Sequence, residues 1–158
     1  FPKDFKIINA SAVTGDLFVD LTNCKDSVIS GKKIVFDKGH QIHTIKAGDG
    51  DDTIFCNDSG NVIYPGRGND KIYLGNGADV VVYHDYKLKG LGEDVIYNFD
   101  IAKDKLAFFG GITTEQLLAS VRDSSNEQTH STTIEFDDWS VKLEGILSSQ
   151  ITQEVFVV

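Results

Sequence analysis

Through the middle of the chain, short apolar triplets alternate with polar, glycine-rich stretches at a fixed interval. Successive nines from Ala47 read AGDGDDTIF, CNDSGNVIY, PGRGNDKIY and LGNGADVVV. The eighth place holds Ile54, Ile63, Ile72 and Val81, and the sixth holds Asp52, Asn61, Asp70 and Asp79, without a slip. One unit earlier, KGHQIHTIK keeps Ile45 but has His43 at the acid place. After the interruption YHDYKL (83–88), KGLGEDVIY restores Gly90, Gly92, Asp94 and Ile96. Gly/Asp turns between ordinary antiparallel strands vary in spacing, so an unbroken register argues against them. The pattern predicts a three-residue strand with its central aliphatic inward, then a six-residue turn whose glycines reach φ > 0.

Nonapeptides of the form GGxGxDxUx, with U a large aliphatic, wind into parallel β-helices that hold calcium. Two such units complete one rung, so residues two units apart stack at about 4.8 Å. Asp52 is then expected one rung from Asp70, and Asn61 one rung from Asp79 on the opposite edge. Carboxylates that close repel unless a hard cation joins them. Calcium takes six to eight oxygens, carbonyls included, at about 2.3–2.6 Å, which suits loops of glycine and Asp. The expected fold class is all-β: a parallel β-roll, capped by irregular strands at the N-terminus and by a helix plus antiparallel hairpin at the C-terminus.

These units resemble the RTX (repeats-in-toxin) family of secreted bacterial proteins. The segment DVIYNFDIAKDKLAFFG (94–110) is similar to the family's post-repeat segment, with Asn98 in place of the usual acid and Asp104 and Leu106 keeping the later pattern. The resemblance implies several bound Ca2+ ions. Its clearest site would use the carbonyls of Gly48, Gly50, Pro65 and Arg67 with the acids Asp52 and Asp70. A second would use Asn57, Ser59, Leu74 and Asn76 with Asn61 and Asp79, weaker because Asn61 carries no charge. Gly66, Gly68 and Asp70, and Gly75, Gly77 and Asp79, would serve further sites completed by Asp94 and Asp85. The family implies export through a type I secretion channel (an ABC transporter with an outer-membrane exit duct) on an uncleaved C-terminal signal. The ending QEVFVV, Glu154 followed by apolar residues, resembles that signal.

Three segments follow: 1–37 as calcium-free rungs or a cap, 38–97 as the roll, and 98–158 as a C-terminal cap with the export signal. Helix is predicted over 113–124, capped by Thr113 or Thr114, with Leu117, Leu118 and Val121 on its apolar face. A hairpin is predicted over 131–146, turning at Asp137–Asp138, with Trp139 in the core. Cys24 and Cys56 are too few for a disulfide framework; the assumed register sets them about two rungs apart, beyond disulfide reach, so both are expected as free thiols.

The balance of 24 acids to 15 bases, net charge -9, argues against nucleic acid and anionic membrane as partners. No apolar run is long enough to span a bilayer, and no cleavable signal peptide is visible in FPKDFKIINA. A first residue other than Met suggests a piece of a longer protein. HExxH, GxSxG and Walker motifs are lacking, and the histidines His40, His43, His84 and His130 have no zinc-ligand spacing. Paired carboxylates suit a glycosidase, but regular stacking already accounts for them. The expectation is a non-enzymatic, calcium-switched, monomeric module of a secreted toxin or adhesin, at the extracellular surface of a Gram-negative bacterium or released from it. Two other parents stay open: a secreted hydrolase such as a metalloprotease, which the module would support, and a giant surface adhesin, which it would terminate.

Overall fold

The computed structural model describes residues 6–22, 26–36, 39 and 41–158. The strands in chain order are β1 (Ile7–Asn9), β2 (Phe18–Asp20), β3 (Asp26–Ile29), β4 (Lys32–Val35), β5 (Thr44–Lys46), β6 (Thr53–Phe55), β7 (Val62–Tyr64) and β8 (Lys71–Tyr73). They continue with β9 (Val80–Tyr83), β10 (Glu93–Tyr97), β11 (Lys105–Phe108), helix α1 (Thr114–Ala119), β12 (Val121–Asp123), β13 (Ser131–Glu135), β14 (Ser140–Glu144) and β15 (Phe156–Val157). Among the described residues no helix is long and apolar enough to cross a membrane.

Each triplet is too short to stand alone, and alternate triplets join different sheets. One sheet runs β1-β5-β7-β9-β11-β15, every neighbour parallel. The other runs β12-β13-β14-β10-β8-β6-β2-β3-β4, parallel from β14 to β2 and antiparallel at both ends. Within the repeats the partners are Thr44↔Val62↔Val80 and Thr53↔Lys71, a step of two nonapeptides per rung. The insertion lengthens the next step, Lys71↔Val95, without disturbing the pairing. The chain is a parallel β-roll.

The central strand residues form two facing columns: Ile8, Ile45, Ile63, Val81, Leu106 and Phe156 on one sheet, Val19, Ile54, Ile72, Ile96 and Leu143 on the other. All are buried. Burial of each such side chain contributes about 1.5–3 kcal/mol, an upper bound because the unfolded chain is partly collapsed. On the outer face Phe55, Tyr73 and Tyr97 stack at 4.3 and 4.4 Å, the rung spacing repeated in side chains.

Both ends of the larger sheet carry antiparallel strands, which blunt its open edges. At one end β3 and β4 pair with each other and β3 with β2. At the other, β13 and β14 form the hairpin over 131–146, and Trp139 is buried with its indole N–H donating to the Tyr86 carbonyl at 3.0 Å. The helix is shorter than the sequence predicts. Thr113 and Gln116 form a reciprocal capping box at its start, but it stops at Ala119. β-Branched Val121 begins β12, which pairs with β13, and that pairing takes 121–123 out of the helix. Cys56 is a buried free thiol, whereas Cys24 and His40 lie outside the described residues.

Candidate metal centre

The parallel register sets the acid places above one another. On the edge entering the larger sheet the order is Leu17, Asp52, Asp70, Asp94 and Val141, each one residue before or within a paired strand. The Leu17 N–H donates to Asp52 Oδ1 at 2.8 Å, that of Asp52 to Asp70 Oδ1 at 2.8 Å, and that of Asp70 to Asp94 Oδ1 at 2.9 Å. On the opposite edge the Asn61 N–H donates to Asp79 Oδ1 at 2.6 Å, and that of Asp79 to Asp104 Oδ1 at 2.9 Å. The first column is apolar at its C-terminal end, where Val141 occupies the next rung, whereas the register of the last strand sets exposed Glu154 level with Asp104 on the second.

Burial of these acids is unusual, since Asp is seldom buried without a partner. Asp52, Asp70, Asp79, Asp94 and Asp104 are all at most 1% exposed. Among the described residues none of the five is ion-paired to Lys or Arg; the ion pairs formed use Asp26, Asp49, Asp100 and Glu144. Desolvation therefore pushes their carboxyls up: Asp52 to about 6, Asp94 to about 7, and Asp70 to about 9, where the Asp94 charge adds to burial. Asp79 and Asp104 rise for the same reason. Asp70 Oδ2 is a buried oxygen without a hydrogen-bond partner.

Glycine lets the loops stack this closely. A Cβ on Gly66 would lie 2.1 Å from the Gly48 carbonyl oxygen, and one on Gly68 2.1 Å from that of Gly50, with φ of +99 and +117. The same contact recurs on the other edge between Gly75 and the Asn57 carbonyl, and between Gly77 and Gly60. No three His, Cys, Asp or Glu side chains among the described residues converge on one point. A cation held here would draw most of its oxygens from backbone. All-oxygen donors, paired carboxylates and a partnerless buried oxygen fit a hard cation such as calcium and do not suit zinc.

Of the residues expected at the first site, Asp52 and Asp70 come together, Pro65 is buried, and the Arg67 side chain points to solvent. The Gly48 carbonyl accepts the Arg67 N–H at 3.0 Å. At the second, Leu74 is buried, and the side chains of Ser59 and Asn76 are exposed. Asn61 Oδ1 accepts the Asn57 N–H at 3.1 Å, and Lys103 Nζ donates to the Asn76 carbonyl at 2.6 Å. Lysine thus brings a positive charge onto a loop carbonyl on that edge, whereas on the first edge Arg67 is paired with exposed Asp49 at 3.9 Å. Asp94 joins the Asp70 column, whereas Asp85 lies outside both, its Oδ1 accepting the Lys87 N–H. Asp104 joins the second column although the repeat spacing does not point to it. Its signal was legible, an acid two places before Leu106 as Asp79 is before Val81, but its step from Asp79 departs from the repeat.

No protein-family model and no curated protein matches the chain. Solved structures do. The extracellular lipase LipA from Serratia marcescens superposes at a TM-score of 0.67 over 94% of this chain, at 21% identity. The match spans only 21% of the lipase. The AlgE6R3 subunit of the Azotobacter vinelandii mannuronan C5-epimerase superposes at 0.50 over 72% of this chain and 71% of that one, at 24% identity. At these identities the likeness establishes the fold alone.

Proposed function

We propose that this chain is a calcium-binding β-roll module of the RTX type, part of a larger exported protein, that folds when it meets calcium outside the cell. The observation that supports it best is the stack Asp52–Asp70–Asp94, buried without a cationic side chain and with Asp70 Oδ2 unpartnered. Bound calcium would supply positive charge that offsets both the repulsion within the stack and its desolvation. Asp52 and Asp70 would hold it on the first edge with carbonyls of the 47–52 and 65–70 loops, and Asp79 with Asp104 on the second.

The chain's own residues set the switch. Backbone N–H groups aim one oxygen of each acid along the column, and stacked glycines keep the loops one rung apart. Without the ion, burial and like charge oppose folding, and glycine-rich loops lose much entropy on ordering. A ligand bound only by the folded state at 100 times its dissociation constant contributes about 2.7 kcal/mol, so a few sites match a domain's whole stability. Submicromolar calcium inside the cell and millimolar calcium outside would keep the chain open during passage through a type I channel and close it afterwards. The larger parent is read as a secreted toxin or adhesin, or as a secreted hydrolase such as a metalloprotease that the module supports. The module itself is read as non-catalytic, its acids committed to stacking.

Circular dichroism during a calcium titration, with magnesium as control, tests the reading. Strand signal that grows with calcium and not with magnesium is expected. A spectrum fully folded in excess chelator and unchanged by calcium would overturn it.

A further inference from the structure

The two ends of the first acid column differ in what they offer a cation. At one end Asp52 has its Oδ2 held only by the Gly48 N–H at a long 3.4 Å, and Asp70 beside it has a free oxygen. Asp94, the last acid, has both oxygens engaged: Oδ1 accepts the Asp70 N–H at 2.9 Å and Oδ2 accepts the Tyr83 hydroxyl at 2.9 Å. On its far side the paired residue is Val141, which brings no oxygen from its side chain.

Tyr83 reaches this position through the insertion. In the repeat phase it holds the first place of a loop, as Ala47 and Pro65 do. Here it instead extends β9, a four-residue strand among three-residue neighbours β5, β6, β7 and β8. Its ring is buried and packs against Phe108 at 5.2 Å and Trp139 at 5.0 Å between centroids. The hydroxyl therefore has a fixed place, and swinging it away would open a cavity in the core.

We propose that Tyr83 closes the first column by standing in for a cation at Asp94, so that Asp52 and Asp70 hold calcium and Asp94 does not. The inference rests on the calcium reading given above. A phenol offers one O–H donor and no charge. It satisfies a terminal carboxylate that has no second acid beyond it, where an ion would find too few oxygens. The first inserted residue thus supplies the donor that closes the acid column at Asp94.

Native mass spectrometry of the full chain in saturating calcium counts the ions. Asp94→Asn is expected to keep the wild-type count, whereas Asp70→Asn loses at least one ion. Tyr83→Phe keeps the count but lowers the thermal midpoint by about 5 °C. Combined with Asp94→Asn it costs no more than the larger single change, because the two side chains form one interaction. An ion lost from Asp94→Asn overturns the assignment. Should that variant fail to fold, Tyr83→Phe decides: an ion lost marks Asp94 as a ligand and overturns the proposal, and a retained count supports it. A wild-type chain that holds no calcium would instead overturn the calcium reading, and this inference with it.

Discussion

The backbone N–H of Asp52 donates to Asp70 Oδ1 at 2.8 Å, one full rung away, and leaves Asp70 Oδ2 buried with no partner. One oxygen of the carboxylate builds the roll and the other is left for a ligand. Asp51, its neighbour in sequence to Asp52, makes a similar rung-to-rung bond through Oδ1 to the Asn69 N–H but is exposed. Asp70→Asn should therefore raise the calcium concentration needed for half-folding at least tenfold, and Asp51→Asn less than threefold, by the weak coupling of exposed charges. Equal shifts in a calcium titration would contradict the inward assignment of Asp70.

Acid should act oppositely on the calcium-free and calcium-bound chains. The carboxyls of Asp52, Asp94 and Asp70, at about 6, about 7 and about 9, stand above their ordinary value of 3.8. The folded state thus binds protons more tightly than the unfolded state. That stabilisation is fully present below about pH 3.8 and is lost as pH rises through 6 to 9. In chelator, strand content should grow between pH 9 and pH 5. In calcium, the same protons compete with the ion, so the calcium midpoint should rise on acidification. Far-ultraviolet dichroism at a series of pH values, with and without calcium, checks both signs.

Glycine positions separate backbone conformation from close approach. Gly111 has φ of +87 with nothing within 4 Å of a built Cβ, whereas Gly68 has φ of +117 and the Gly50 carbonyl oxygen at 2.1 Å. Gly111→Ala should cost about 1–2 kcal/mol, the strain of a left-handed residue. Gly68→Ala carries that strain and also forces two loops apart, so a loss above about 4 kcal/mol or failure to fold is expected. Chemical denaturation in calcium measures both.

Why the roll was legible and its ends were not follows from what repeats. Ile54, Ile63, Ile72 and Val81 recur at one interval because each must enter the same core layer, and the acids beside them recur for the same reason. From these alone the sheet partners, the rung step and the Asp52–Asp70 stack could be written down. Asp104 and Tyr83 depend on loops of irregular length, where spacing no longer gives position. Val121 looked helical because its spacing from Leu117 fits a helix face, and the strand pairing with β13 that claims it is a long-range contact. The Lys103 contact with the Asn76 carbonyl has no local signature either.

The C-terminal residues divide into a buried half and an exposed half, which allows export and folding to be tested apart. Val155 and Phe156 are buried, and Phe156 pairs with Leu106, so the tail is the last rung of its sheet. Removing residues 154–158 would strip that rung, and any loss of export would be confounded with misfolding. Val157 and Val158 are 42% and 54% exposed. Asp at both should change stability by less than about 0.5 kcal/mol, as surface substitutions generally do. If the apolar ending is read by a type I channel, the same change should sharply reduce the amount exported. Secretion from a host with a matching channel, measured beside the thermal midpoint of the purified variant, makes the comparison. Normal export of the doubly substituted chain would remove the signal from this ending and leave it as a strand of the roll.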